Sequence, residues 1–180
     1  MTFPDEKYSV IGAFADDYFD RLAGAAASVD RDRLAQAAEM MARTYVAGGT
    51  VFACGNGGSA AISNHLHCDH LKGVQTDTDL RPKVVSLSST IETITAIAND
   101  IGYDEVYVYQ LRTLAEAGDV LISVSSSGNS ENIVRSCQWA KDNGVGTIAM
   151  TGFEGGRSAA IADINLHVDA DNYGVVEDVH

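Results

Sequence analysis

A chain of 180 residues with 46% apolar and 21% charged side chains has enough apolar material for one well-formed core. A formal charge of −13 and an isoelectric point near 4.5 argue against nucleic acid and anionic membranes as partners. Any anionic ligand must be captured by local groups, against the field of the whole molecule.

The N-terminal Met-Thr-Phe-Pro-Asp-Glu-Lys has neither the basic nor the apolar region of a signal peptide. No apolar run reaches the roughly 18 residues of a membrane span. Cys54, Cys68 and Cys137 are odd in number and not closely spaced, which suits reduced thiols. The expectation is a soluble cytoplasmic protein.

Residues 8–28 have the pattern of an amphipathic helix. A second helix runs from about Asp30, an N-cap, to Gly48 and Gly49, which stop it. This lead-in, residues 1–48, has little sheet of its own to cover. Its apolar faces are expected at a subunit interface, with packing inside the chain as the alternative. From residue 49 onward the predicted strands are 50–54, 84–88, 119–125, 146–150 and 163–168, near-continuous apolar runs suited to a parallel sheet. Helices are predicted at about 59–72, 90–98, 104–117 and 130–143. Ser89 with Glu92 reads as a capping box and Asn143-Gly144 as a stop. Residues 73–83 form the longest irregular link. The closing Asn172–His180 reads as a helix barely begun, so either the protein ends there or its last helix is incomplete. Strand–helix alternation predicts one α/β domain over 1–180, a three-layer, doubly wound sandwich with a five-stranded parallel sheet. In such folds ligands sit outside the carboxyl ends of the strands.

Two loops carry the chemistry. Gly55-Asn56-Gly57-Gly58-Ser59 follows the first strand and opens a helix, whose free N–H groups and partial positive charge bind anions, phosphate above all. It is not a P-loop, because no Gly-Lys-[Ser/Thr] follows. With Ala60 it fits Gly-x-Gly-x-x-Ala, and Asp77 or Asp79 lies at the right distance for a dinucleotide site. The acid should end the second strand, however, and both aspartates precede it. After the third strand, Ser125-Ser126-Ser127-Gly128-Asn129-Ser130 again runs into a helix. Four hydroxyls exceed what capping one helix requires and suit a phosphate monoester. On the first of these helices His65 and Asp69 are four apart and share one face with Cys68 and Lys72. Such a pair is often only a surface ion pair, yet it sits shortly past a phosphate cradle. His67, His70 and His167 read as solvated or structural.

Gly-Asn-Gly-Gly-Ser opening one helix and Ser-x-Ser-Gly-Asn-Ser opening another resemble the sugar isomerase (SIS) domain, and within it the phosphoheptose isomerases. Ala98-Asn-Asp100, Ala117-Gly-Asp-Val-Leu-Ile and Thr151-Gly-Phe-Glu-Gly-Gly156 extend the resemblance along most of the chain. It implies a flavodoxin-like sheet and interconversion of sedoheptulose 7-phosphate and D-glycero-D-manno-heptose 7-phosphate, for a surface polysaccharide. It further implies a phosphate held by Ser59, Ser125, Ser126, Ser127 and Ser130 beside Gly57, and sugar hydroxyls met by Asn56 and Asp100. His65 and Asp69 match the family's His-x-x-x-Glu, which binds zinc and supplies the catalytic base. His180 falls where the last helix carries another metal ligand, so zinc is expected on His65, Asp69 and His180. A homotetramer with shared active sites is also implied. Asp69 is one methylene shorter than the family's glutamate, and the arginine that often follows that helix is absent, with Lys72 and Arg81 as nearby substitutes. Those departures keep a second reading open: a non-catalytic SIS module that binds a sugar phosphate or a protein partner as a regulator.

Overall fold

The computed structural model describes residues 3, 4 and 7–180. Two helices lead, α1 (Ile11–Ser28) and α2 (Arg31–Val46). Asp30 caps α2 as its position predicts, its Oδ1 accepting from the N–H groups of Asp32 at 2.8 Å and Arg33 at 3.1 Å. The alternating part follows: β1 (Thr50–Gly55), α3 (Gly58–Cys68), β2 (Lys83–Ser86), α4 (Ile91–Asp100), α5 (Val108–Leu114), β3 (Val120–Val124), α6 (Glu131–Asp142), β4 (Gly146–Thr151), α7 (Gly156–Ile161), β5 (Ile164–His167) and α8 (Tyr173–Val179).

The five strands form one parallel sheet in the order β2-β1-β3-β4-β5. Chain direction across the sheet reverses between β1 and β3, so the crevice at their carboxyl ends is where a ligand fits. The register pairs Gly55 with Val124, so the chain leaves both strands at one level. The sheet is buried on both faces. Phe52, Cys54 and Leu121 pack against Ile97, Leu111, Ile133 and Cys137 from α4, α5 and α6. Val51, Val120, Ile122 and Ile148 pack against Ala37 and Tyr45 of α2, with Ile62 and Leu66 of α3 alongside.

In that second layer α2 follows the intrachain alternative for the lead-in: it covers this chain's own sheet. Helix α1 instead lies on α8, with Ala25 against Val168, Val175 and Val176, and leaves Ile11 and Phe19 exposed. Three local expectations also change. The predicted helix 104–117 splits into a 3-10 turn at Tyr103–Glu105 and α5. It stops at Leu114 because the Asp119 carboxylate takes the N–H of Glu116 at 2.8 Å and of Thr50 at 2.7 Å, folding the chain back toward the sheet. No capping box forms at α4; Ser89 Oγ donates to the Ser86 carbonyl at 2.8 Å, and Thr90 takes the N-cap position. Helix α7, six residues behind two glycines, is too short to show a helical period. No helix among the described residues is long and apolar enough to cross a membrane.

Candidate active site

At the switch point the two loops enclose a cleft of about 140 Å³ lined by Asn56, Ser59, Ser125, Ser126, Ser127, Ser130, Tyr173 and Glu177. Gly57, at φ 55°, turns the chain into α3. The serine loop is held from behind by the start of α7. A Cβ on Gly128 would lie 1.9 Å from the Gly155 carbonyl oxygen, and one on Gly156 would lie 2.3 Å from that of Ser127. Both have positive φ, so backbone meets backbone where no other residue fits.

The hydrogen bonds separate a ligand site from ordinary capping. If the serines served only α6, a hydroxyl would accept from its first turn. Ser130 occupies the N-cap position and makes no such bond. Ser126 Oγ is buried, on a residue 4% exposed, and has no partner among the described residues. Ser127 Oγ accepts only a long contact, 3.4 Å, from the N–H of Asn129. A buried hydroxyl without a partner costs free energy, about 1–3 kcal/mol, and a bound acceptor removes that cost. The serine hydroxyls and the free N–H groups at the starts of α3 and α6 thus form a neutral donor nest suited to a phosphate dianion.

Asn56, read from sequence as a sugar contact, is largely engaged by protein. Its Oδ1 accepts from Tyr103 Oη at 2.8 Å and Asn132 Nδ2 at 2.9 Å, and its Nδ2 donates to Asn132 Oδ1 at 2.9 Å. The Tyr107 hydroxyl donates to the Gly55 carbonyl, and burial pushes its pKa well up, keeping it a neutral donor. This network ties the first loop to α6, leaving one Asn56 N–H for a ligand. Asp100 ends α4 exposed, accepts from Asn99 Nδ2 at 2.7 Å, and is not among the residues lining the cleft.

His65 and Asp69 do meet: Nε2 and Oδ2 are 3.2 Å apart, on side chains 77% and 60% exposed. A π-helical turn, Asp69–Val74, begins at the aspartate. Such turns re-aim the residues they carry and are frequent at functional sites. His180 is elsewhere. Its ring nitrogens are buried beside a pocket of about 330 Å³ that Leu34, Met150, Leu166 and Val168 also line. Burial lowers its pKa. Among the described residues no three His, Cys, Asp or Glu side chains meet so as to hold a metal ion. One chain supplies two zinc donors where an open site needs three, so His65, Asp69 and His180 do not fit the ion together. The other histidines are engaged by the fold: His67 Nδ1 lies 2.7 Å from the Val84 carbonyl, His70 Nδ1 3.2 Å from Tyr45 Oη, and His167 Nδ1 3.1 Å from Thr151 Oγ1. Arg81 donates to the Leu80 carbonyl at 2.8 Å and does not line the cleft.

Sequence reasoning missed Tyr173 and Glu177, which bring α8 to the cleft, and Asn132, Tyr103 and Tyr107 behind it. Tyr173 and Glu177 are four apart and so share a helical face, a signal present in the closing segment.

Comparison with known proteins agrees with this geometry. The family model described as the SIS domain matches residues 15–152. A phosphoheptose isomerase of Nitratidesulfovibrio vulgaris is 37% identical over 151 residues, 83% of this chain and 71% of that one. The solved phosphoheptose isomerase of Neisseria gonorrhoeae superposes with a TM-score of 0.83 at 33% identity, covering 93% of this chain and 89% of its own. That of Francisella tularensis gives 0.84 at 29%, covering 93% and 88%.

Proposed function

We propose that this chain, which belongs to the SIS domain family and within it to the phosphoheptose isomerases, interconverts sedoheptulose 7-phosphate and D-glycero-D-manno-heptose 7-phosphate. It is an isomerase, and the observation that carries the reading is the serine loop at the switch point, where Ser130 makes no cap bond and the buried Ser126 hydroxyl has no partner among the described residues.

The phosphate binds at the starts of α3 and α6, and that remote binding energy orients the reacting carbons. His65 is seven residues beyond Gly58, about 10 Å along α3 at the helical rise. The six C–C bonds of a heptose chain, each about 1.5 Å, reach roughly 8 Å from the phosphate end. In this reading the sugar lies along α3 with its C1–C2 pair directed toward His65 and the Asp69 carboxylate that contacts it. The base of this pair removes a proton from C1 of the ketose while O2 gains one, giving a C1–C2 enediol. Loss of the O1 proton and return of a proton to C2 give the aldose. Asp69 is the base favoured by its match to the family's glutamate, and its contact with Nε2 orients His65.

In one chain this pair is open to water. A homotetramer with shared sites would cover it, consistent with the exposed Ile11 and Phe19 of α1. If zinc binds, His65 and Asp69 are two of its ligands, and it would polarise the substrate carbonyl; its remaining donors lie outside the His65–Asp69–His180 set of one chain. A cytoplasmic location follows from the phosphorylated substrate and the unpaired cysteines.

The test is NMR of the purified protein with sedoheptulose 7-phosphate in D₂O, with and without added Zn²⁺. Appearance of the aldose with deuterium at C2 is the expected result. Saturable binding of the sugar phosphate with no conversion and no exchange would overturn isomerisation and establish the regulatory reading.

A further inference from the structure

Helix α3 runs on past His65 into the π-helical turn Asp69–Val74, so whatever holds that turn also sets where the Asp69 carboxylate points. Of the six residues in the turn, only His70 and Val74 are shielded from solvent. With Ile62 and Leu66, each four apart, they continue the stripe that α3 lays against the sheet and α2. His70 is the polar member of that stripe. Its Nδ1 lies 3.2 Å from Tyr45 Oη on α2, with the two rings edge to face at 6.1 Å between centroids. Tyr45 is 7% exposed, and His70 is the one hydrogen-bond partner its hydroxyl has among the described residues. A His70 swung away from α2 would leave that hydroxyl buried and unpaired, which is costly. An apolar residue at 70 would fill the stripe without fixing a direction, whereas a donor–acceptor pair fixes one.

On the other side of Asp69, His67 Nδ1 lies 2.7 Å from the Val84 carbonyl of β2. Asp69 thus stands between two anchored histidines, one tied to the sheet and one to α2. Its own contact with His65 joins two exposed side chains, and such a contact alone restrains them little. We propose that the Tyr45–His70 pair is a positioning element for the isomerase reaction: it fixes the π-helical turn on α2 and thereby aims Asp69 at the reacting carbons. This rests on Asp69 being the base, as in the function proposed above, and adds what holds that base in place. A displacement of about 1 Å at a reacting group costs up to ~100-fold in turnover. Loss of the pair is therefore read in kcat and not in KM, which the distant serine nest governs.

The test uses Tyr45→Phe, which removes one oxygen, His70→Leu, which keeps the stripe filled, and the double variant. Each should lower kcat for sedoheptulose 7-phosphate about ten-fold or more with KM unchanged. The double variant should lose no more than either single one, because both act through one contact. It should also melt no lower than the wild type, since both partners of a buried polar pair have become apolar together. A merely structural pair would move the melt and leave kcat alone. A second readout needs no turnover: the imidazole resonances of His65 in ¹H–¹⁵N spectra at one pH, with Asp69→Asn marking the lost contact. Tyr45→Phe should move them toward their Asp69→Asn positions. Wild-type kcat in the double variant, losses that multiply between the single variants, or His65 resonances that stay in place would overturn the proposal. A wild type that does not convert the sugar refutes the isomerase reading alone, and the His65 resonances then decide whether the pair aims Asp69.

Discussion

Helix α3 starts at the cleft and leads to the His65–Asp69 pair, and the two ends are built differently. Its start faces a buried nest in which Ser59, Ser125 and Ser126 are each less than 10% exposed and the donors come from one chain. Its end carries His65 and Asp69, paired with each other and open to solvent. In the proposed reading phosphate capture is a property of the fold, resting on the β1–β3 register and the glycine contacts behind the serine loop. On the same reading, proton transfer depends on two side chains that one chain positions and does not enclose. Substitutions at the first end should change binding, and substitutions at the second should change turnover.

The largest effect should come from Asp69→Asn. Removing a general base costs typically 10²–10⁴-fold in turnover, and steady-state kinetics should show this in kcat with KM little changed. A loss confined to KM would erase the distinction between the two ends. Ser126→Ala should do the reverse, raising KM about ten-fold or more through one lost hydrogen bond to a charged group. Because Ser126 Oγ has no partner among the described residues, the same variant should melt no lower than the wild type, and slightly higher if the desolvation cost is relieved. A marked fall in its melting temperature would mean that the hydroxyl serves the fold.

The smallest effect is on stability against pH. Burial lowers the pKa of His70 and His180 below the ordinary 6.5, so the unfolded chain takes up these protons first. Their contribution is complete above about 6.5 and is lost as pH falls through the folded-state values. A second loss should follow below about 4.5, where Glu105, held down chiefly by Arg135, and Glu131, held down chiefly by Arg157, protonate. Thermal melts from pH 8 to about pH 2 should show both steps with the same sign, and kcat should not track the first if His180 is remote from the chemistry. A kcat that falls in step with His180 titration would bring that residue back to the site.

The sheet and both ligand loops were legible in the sequence because each is written locally: apolar strand runs, then glycine or serine at a helix start. Contacts between distant segments were not. Asp119 ends α5 by bonding Glu116 and Thr50, and Asn132 with Tyr103 engages Asn56, through pairings no local pattern encodes. The resemblance to the SIS family placed a metal ligand at His180, whereas the face of α8 that meets the cleft is set by where Val175 and Val176 pack, and it presents Glu177. Likewise the sequence leaves α2 open between an interface and intrachain packing, because its partner strands lie later in the chain.

The most direct test of the central claim, that one chain's serine nest is the phosphate site, is a titration with inorganic phosphate followed by ¹H–¹⁵N correlation spectra. Saturable shifts confined to the amides of Ser126, Ser127 and Ser130 and of Gly58 and Ser59, abolished in Ser126→Ala for the first group, are what the geometry predicts. Shifts centred instead on the exposed arginines, Arg135 and Arg157, or shifts that never saturate, would contradict it.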